Sequence, residues 1–479
     1  MNLENIKSIE QARAGFASGA FLPSDLTAFY LKNIEANNKK GKELNIYLEV
    51  FADVMDAAKM ADAKYKDGSA RELEGIPFAI KDCILIKGKV ASSGSKMLES
   101  FVAAQDATAI KLLRAAGAVL LGRTNMDEFA MGGSGENSAY GPTKNPLDVT
   151  RVPGGTSSGS AAAVAANMCL VALGSDTGGS VRQPGSFTGV YGYKPSYGGV
   201  SRSGLIAAGS SLDQIGILAN NIKDVETVYK IIGKEDVLDG TSIPAEVRRE
   251  KNKKAFSKSV CYIKSAIDSE GVSGEVRNNF YAFIEKAKAK GYGVNEINNE
   301  DLSSLKYALA MYYIIMPAEV STNLSRMEGL RFGGGDVGAV LNYEDLYKKV
   351  RSKFFGKEAK RRIIIGSYVL SHGYYDAYYG KATAMRKIMK AQFAKIFKED
   401  SIFLSPTAPT TAFKLSSAGE TRDPLTLYME DIFTVPANLA ELPGISIPSG
   451  FDSEQLPFGI QALAGYGRDQ DLFDFAKDF

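Results

Sequence analysis

The chain has 479 residues, of which 45% are hydrophobic, and its formal net charge is +2 at pH 7. The length allows a large buried core, and the near-neutral charge gives no global reason to expect direct binding to nucleic acid. The three cysteines are scattered without CxxC spacing and there is a single histidine. This composition excludes an ordinary structural zinc site and fits a reducing compartment.

The sequence predicts one large domain, because no Pro/Gly/Ser-rich linker and no internal repeat separates its halves. We expect N-terminal helices over residues 1–70, catalytic core motifs over 75–220, a peripheral and largely helical insertion over 235–400, and a return to the core over 401–479. No apolar run approaches the roughly 18 residues of a membrane span, and the N-terminus lacks the apolar segment of a secretion signal. The predicted location is the cytoplasm.

Short β-type runs alternate with helical patterns from residue 75 onward, which is typical of an α/β fold with a mixed sheet. A loop is expected over 174–180, directly after a buried strand. The predicted strands cover 76–80, 118–121, 169–173, 260–263, 402–404, 445–448 and 459–463, and the predicted helices include 108–116, 160–167, 275–290 and a long one over 357–397.

Two Gly/Ser-rich segments, 154–160 (GGTSSGS) and 174–184 (GSDTGGSVRQP), carry the strongest chemical signal. They are typical of a serine nucleophile, which needs a base. The chain's one histidine, His372, lies in an aromatic helix end and is better explained by packing or a surface position. Lys81 lies near the end of the apolar run 75–82, and burial there favours the neutral amine that accepts a proton.

Lys81, the 154–160 loop and the 178–184 segment together resemble the amidase signature family, whose Ser-cisSer-Lys triad hydrolyses amides. The resemblance covers nearly the whole chain and implies an α/β/α sandwich around a large mixed β-sheet. By the same resemblance, Lys81 is the catalytic lysine, Thr156 the bridging residue and Ser180 the nucleophile.

Thr156 departs from the serine that the family usually has at the bridging position. A threonine hydroxyl donates and accepts as serine does, but its methyl group restricts χ1 and needs space in a tight loop. Ser157 is an alternative bridge. Two further departures are Cys83, where relatives commonly have Asn, and Glu441, where the family pattern has Gly.

The residues that precede Ser180 predict an oxyanion hole. Gly178 and Gly179 lack a Cβ, so successive backbone N–H groups can turn toward one point. We expect the hole to comprise the amides of Thr177, Gly178, Gly179 and Ser180. Three further polar residues are expected to have supporting roles: Asp176 and Asn438 support the surrounding loops by hydrogen bonding, and Arg182 holds the end of the strand.

Residues 423–440 resemble one branch of the family, the A subunits of tRNA-dependent amidotransferases. That resemblance implies glutamine as the substrate. Arg362 then binds its α-carboxylate, Asp431 its α-ammonium, and Tyr313 lines the pocket, roles for which a guanidinium fork and a carboxylate are suited. Arg361 and Tyr312 are alternatives to their neighbours.

The resemblance further implies a heterotrimer with the B and C subunits of the amidotransferase. Ammonia released from glutamine is then used to convert Glu-tRNA(Gln) to Gln-tRNA(Gln), Asp-tRNA(Asn) to Asn-tRNA(Asn), or both. No cofactor or metal is expected in this chain, since ATP and Mg²⁺ act in the partner protein and tRNA binds mainly to the partner. Two alternatives are a stand-alone amidase of a small amide and a non-catalytic scaffold, the latter motivated by Thr156 and Glu441.

Overall fold

The computed structural model describes residues 3–38, 44–253, 255–333, 335–399, 402–417 and 423–479. The predicted segment boundary at 400 and 401 lies outside these residues. Within the described ranges, no helix is both long and apolar enough to cross a membrane. The structure is an α/β fold built on an 11-stranded mixed sheet, which confirms the predicted fold class.

The sheet orders its strands β1-β3-β2-β4-β6-β5-β10-β11-β9-β7-β8. The β2–β3, β2–β4, β7–β8 and β7–β9 pairs are parallel and the others are antiparallel. The strands are β1 (Tyr47–Val50), β2 (Pro77–Lys81), β3 (Val119–Thr124), β4 (Val171–Asp176), β5 (Tyr191–Lys194), β6 (Gln214–Ala219), β7 (Ser259–Tyr262), β8 (Gly293–Glu296), β9 (Ile402–Pro406), β10 (Gly444–Phe451) and β11 (Pro457–Leu463).

Helices connect and cover the strands. They are α1 (Ile9–Ser18), α2 (Pro23–Asn38), α3 (Val54–Lys66), α4 (Thr108–Ala115), α5 (Ser158–Ala165), α6 (Arg182–Thr188), α7 (Ile222–Ile232), α8 (Ala245–Asn252), α9 (Lys264–Ile267), α10 (Gly274–Ala289), α11 (Ala308–Asn323), α12 (Tyr343–Phe354), α13 (Lys357–Val369), α14 (Lys381–Glu399), α15 (Pro424–Met429), α16 (Val435–Leu439) and α17 (Asp469–Ala476).

The central strands β2, β4 and β6 are buried along their whole length. Strands buried on both faces have near-continuous apolar runs rather than alternating ones, as in Pro77–Lys81. Because β2 and β4 are parallel, their carboxyl ends lie at the same edge of the sheet. Ligand sites of open α/β sheets commonly form at such an edge, and here it brings Lys81 to the segment that follows Asp176.

Three elements differ from the sequence prediction. Strand β4 continues to Asp176, because its pairing with β6 extends to Asp176↔Gln214, so the catalytic loop begins at Thr177 rather than at residue 174. The helix predicted over 357–397 is divided into α13 and α14, and Gly373 in the break has a positive φ of 85°. Strand β8 (Gly293–Glu296) was not predicted and pairs with β7 at one end of the sheet, whereas β7 corresponds to the strand predicted over 260–263.

Candidate active site

Lys81 is the last residue of β2 and is fully buried. Its Nζ donates to Thr156 Oγ1 at 2.7 Å, to Ser157 Oγ and Ser175 Oγ at 2.9 Å each, and to the Ser175 carbonyl at 3.2 Å. Burial lowers the pKa of Lys81 to about 8, against the attraction of nearby acidic groups that include Asp127. Roughly one amine in ten is therefore neutral at pH 7, so a proton-accepting form is available.

The loop before α5 packs directly against Ser180. Gly155 has a positive φ of 54°, and a Cβ added there would lie 2.5 Å from Pro184 Cδ and 3.1 Å from Ser180 Cα. Only glycine fits both the backbone conformation and this close approach. The Ser157 N–H then donates to the Ser180 carbonyl at 3.1 Å. Throughout the described ranges every peptide bond is trans, including the one before Thr156.

Thr156 and Ser157 both contact Lys81, but their hydroxyls have different partners. The Ser157 hydroxyl also donates to the Ser175 carbonyl at 3.0 Å and accepts the Ser175 N–H at 3.2 Å. Thr156 Oγ1 accepts from Lys81, and its proton has no acceptor among the residues that the structure describes. Thr156 therefore keeps a donor available, whereas the Ser157 proton is used by the backbone of β4.

Ser180 is half-buried at the end of the Thr177–Ser180 loop, so a substrate can reach it. A Cβ added to Gly178 would lie 2.7 Å from the Tyr312 hydroxyl, so the aromatic side chain covers this glycine closely. The Gly179 N–H donates to Asp176 Oδ1 at 2.9 Å. Of the four amides predicted for the oxyanion hole, that one is already engaged by a carboxylate.

A buried hydrogen-bonded network fixes this loop to the C-terminal part of the chain. Arg182 Nη2 donates to Asp176 Oδ1 at 2.9 Å and to Asn438 Oδ1 at 2.6 Å, and Asn438 Nδ2 donates to Asp176 Oδ1 at 3.0 Å. Burial alone raises the pKa of Asp176, but the Arg182 guanidinium holds it well below its usual range. These contacts confirm the predicted supporting roles of all three residues.

A cavity of about 330 Å³ is lined by two of the three predicted substrate-binding residues, Tyr313 and Arg362, whereas Asp431 and the Thr177–Ser180 loop are not part of its lining. Arg362 and Tyr313 both line it, and the guanidinium lies 5.3 Å from the centre of the Tyr313 ring. Tyr313 donates to Asp431 Oδ2 at 3.0 Å and stacks on Tyr428 at 3.8 Å. Arg362 Nε is paired with Glu358 Oε1 at 2.8 Å, so one edge of its guanidinium is occupied.

The alternatives to these residues occupy different places. Tyr312 packs against Gly178 rather than in the cavity, whereas Arg361 lines the cavity and contacts Glu358. His372 is exposed in the break between α13 and α14.

Sequence reasoning missed several residues of the site. Ser175 contacts Lys81, Glu358 pairs with Arg362, Tyr428 stacks on Tyr313, and Asp213 accepts a hydrogen bond from Thr177 at 2.6 Å. Ser175 and Tyr428 lie within segments that carry the family resemblance. Asp213 and Glu358 had no comparable signal, because their partners are set by tertiary packing.

The two remaining departures from the family pattern, Cys83 and Glu441, lie in different surroundings. Cys83 is buried with its Sγ 3.6 Å from Ser175 Oγ, and burial raises the pKa of its thiol. Glu441 follows α16 with a positive φ of 64°, a conformation that favours the glycine expected there. Its carboxylate pairs with Lys390 at 2.7 Å and Arg386 at 3.5 Å.

Comparisons with known proteins point to one family. The family model described as Amidase matches residues 25–473. The A subunit of the glutamyl-tRNA(Gln) amidotransferase from Desulfatibacillum aliphaticivorans is 45% identical over 98% of this chain and 96% of the relative, and its counterpart from Desulfosudis oleivorans is 48% identical over 86% and 84%. The crystal structure of the Thermotoga maritima counterpart covers 95% of this chain and 91% of its own, with a TM-score of 0.75 and 36% identity. The chain belongs to the amidase family.

Proposed function

We propose that this protein is the glutamine-hydrolysing component of a tRNA-dependent amidotransferase. The observation that carries the proposal is the buried Lys81 amine 2.7 Å from the Thr156 hydroxyl, in a loop packed against the half-buried Ser180. A lysine–hydroxyl–serine relay is an established alternative to histidine as a general base. The relatives named as the A subunit of the glutamyl-tRNA(Gln) amidotransferase support glutamine as the amide.

The reaction begins when neutral Lys81 takes the proton of the Thr156 hydroxyl while Thr156 takes that of Ser180. Ser180 Oγ forms a bond to the side-chain carbonyl carbon of glutamine, and the resulting tetrahedral intermediate carries an oxyanion. Protonation of the amide nitrogen by the same relay releases ammonia and leaves a glutamyl ester on Ser180. Water, deprotonated by Lys81 through Thr156, cleaves the ester to glutamate and restores Ser180.

Backbone N–H groups of the Thr177–Ser180 loop stabilise the oxyanion. In the resting structure Gly179 donates to Asp176, so Thr177, Gly178 and Ser180 supply the remaining amides. Removing one donor from such a site typically costs about 100-fold or more in rate.

Glutamine is recognised by its charged α-groups. Arg362 binds the α-carboxylate through its Nη groups, of which Nη1 lies 3.2 Å from Met316 Sδ, a weak acceptor. Asp431, oriented by the Tyr313 hydroxyl, binds the α-ammonium. Burial raises the pKa of Asp431 to about 7, an effect opposed by the Tyr313 hydrogen bond and by Arg362, and an α-ammonium beside the carboxylate favours its charged form.

Ammonia passes to the B subunit of a heterotrimer whose third member is the C subunit. In the B subunit, ATP and Mg²⁺ activate the tRNA-linked carboxylate, so this chain itself needs no metal or cofactor. The tRNA contacts mainly the partner. We assign the complex to the cytoplasm, where the three buried cysteine thiols, Cys83, Cys169 and Cys261, remain reduced.

The test measures ammonia release from glutamine by the chain alone and after addition of the B and C subunits. Glutamine-dependent release that the partners stimulate supports the proposal. Hydrolysis of small amides without glutamine preference identifies a stand-alone amidase instead, and no release under either condition identifies a scaffold.

Ser180→Ala separates the chemistry of this chain from that of its partner. The variant should assemble, lose glutamine-dependent activity and still amidate misacylated tRNA when ammonium chloride replaces glutamine. A glutamine-like electrophile should label Ser180 in the wild-type protein, and labelling of Cys83 instead would overturn the assignment.

A further inference from the structure

We propose that Asp213 is a positioning residue that holds the oxyanion loop in its reactive conformation through the Thr177 side chain. The inference rests on the proposed function, since it assigns Asp213 to the same acyl-transfer site. Asp213 lies directly before β6, next in the sheet to β4.

Asp213 is buried, its carboxylate accepts three hydrogen bonds, and the nearby Glu319 charge adds to the effect of burial in raising its pKa. Its Oδ1 accepts the Thr177 hydroxyl at 2.6 Å and the Gly209 N–H at 3.1 Å, and its Oδ2 accepts the Ala208 N–H at 2.9 Å. No cationic side chain forms an ion pair with it in the described part of the chain. Burying a carboxylate without a counter-charge is costly, and these three donors offset that cost.

Burial raises the pKa of Asp213 to about 6, an effect that the hydrogen bonds from Thr177, Ala208 and Gly209 oppose. At pH 8 the side chain is therefore an ionised acceptor. A hydrogen bond to a charged acceptor is about twice as strong as one between neutral groups. The bond to Asp213 therefore restrains the Thr177 side chain strongly.

Besides the Ser157 N–H that donates to the Ser180 carbonyl, three side chains hold the oxyanion loop, and each fixes a different group. Asp213 holds the Thr177 side chain, Thr434 Oγ1 donates to the Gly178 carbonyl at 2.6 Å, and Asp176 accepts the Gly179 N–H at 2.9 Å. Together they set the orientation of successive peptide planes. Without the Asp213 contact, Thr177 is free to rotate, and the amides nearest the oxyanion lose their alignment.

Glu319 offers a matched control for this role. Its carboxylate accepts the Ser211 N–H at 2.9 Å and so holds the same 208–213 segment without contacting Thr177. If Asp213 only stabilised this segment, substitutions of Asp213 and of Glu319 would have similar effects on kcat. If Asp213 positions the oxyanion loop, only its own substitution should lower kcat.

The experiment measures glutaminase kinetics of the assembled complex at pH 8 for Asp213→Asn, Thr177→Val and the double variant. Asp213→Asn keeps the side-chain volume but places an amide among backbone donors. We expect kcat to fall about 10- to 100-fold for each single variant, with KM within about twofold, because alignment of the oxyanion donors acts in the transition state. The double variant should lose no more than the worse single one, because both changes remove one interaction.

Thr177→Ser should retain kcat within about threefold, and so should Glu319→Gln. The inference is overturned if Asp213→Asn keeps wild-type kcat, if the two single losses multiply in the double variant, or if Glu319→Gln loses as much as Asp213→Asn.

A second substrate distinguishes failure of this inference from failure of the proposed function. The burst of p-nitrophenol from p-nitrophenyl acetate reports acylation of Ser180 and needs the oxyanion loop but not the glutamine pocket. If the wild-type protein gives a burst but does not hydrolyse glutamine, only the glutaminase assignment is rejected. The burst rates of the same variants then test the positioning role of Asp213. Equal burst rates in wild type and Asp213→Asn reject the positioning role.

Discussion

The Ser157 hydroxyl donates to the Ser175 carbonyl at 3.0 Å and accepts the Ser175 N–H at 3.2 Å. Both contacts attach it to the edge of β4. A hydroxyl committed in this way has no proton to pass between Lys81 and Ser180. The adjacent Thr156 hydroxyl, 2.7 Å from Lys81 Nζ, has one.

Thr156→Val should therefore lose at least about 100-fold in kcat, the scale of a broken proton-transfer step. Valine keeps the shape of threonine and removes only the hydroxyl. Thr156→Ser should match or exceed wild type, because it keeps the hydroxyl and removes the methyl group that restricts χ1. Steady-state glutaminase assays of the complex give both values.

Ser157→Ala is the control for that comparison and should lose less than about tenfold. If Ser157→Ala were inactive and Thr156→Val active, the bridging role would belong to Ser157 rather than to Thr156.

The rate at saturating glutamine should rise with pH through about 8. The neutral amine of Lys81 is the active form, burial lowers its pKa to about 8, and the neutral fraction grows as pH increases.

Lys81→Arg should be nearly inactive at every pH, because a guanidinium stays protonated. His372→Ala should keep more than about a tenth of the activity and the same pH profile. Wild-type turnover by Lys81→Arg would remove Lys81 from the mechanism.

The KM for glutamine should increase as pH falls through about 7. Burial raises the pKa of Asp431 to about 7, and the protonated carboxyl no longer attracts the α-ammonium. Asp431→Asn should raise KM at least about tenfold and abolish this pH dependence between pH 6 and 8. Glu430→Gln is the matched control, since Glu430 accepts from Thr410, and it should keep the wild-type KM at pH 8. Because the Glu430 charge helps to raise the pKa of Asp431, the increase in KM should begin at a lower pH in this variant. An unchanged profile in Asp431→Asn would place the ammonium elsewhere.

Glu441→Gly should be more stable than Glu441→Ala by about 1 kcal/mol. Both substitutions remove the pairing with Lys390 and Arg386, but only glycine relieves the strain of a φ near 64°. Thermal unfolding of the two variants, compared side by side, isolates this backbone contribution. Equal or reversed stability would mean that the conformation at 441 carries no strain.

Much of the site could be predicted because its residues lie in continuous motifs. Lys81 and the Thr177–Ser180 loop each lie in a local pattern with its own chemistry, and the parallel pairing of β2 and β4 brings them together. The role of Thr156 was instead implied by the family resemblance. Asp213 could not be predicted, because its role depends on the hydroxyl of Thr177 across a strand pair. The boundaries of β4 were also wrong in the sequence analysis, since pairing with Gln214, rather than local propensity, decides where that strand ends.

The buried guanidinium of Arg182 has consequences for how the chain becomes active. Beyond Asp176, its hydrogen-bond acceptors are the Thr434 carbonyl, Asn438 and Gln461, all contributed more than 250 positions later in the chain. Until those residues have been synthesised, Arg182 lacks most of the groups that compensate for its burial. We therefore expect the nucleophile loop to reach its folded conformation only after its distant acceptors have left the ribosome.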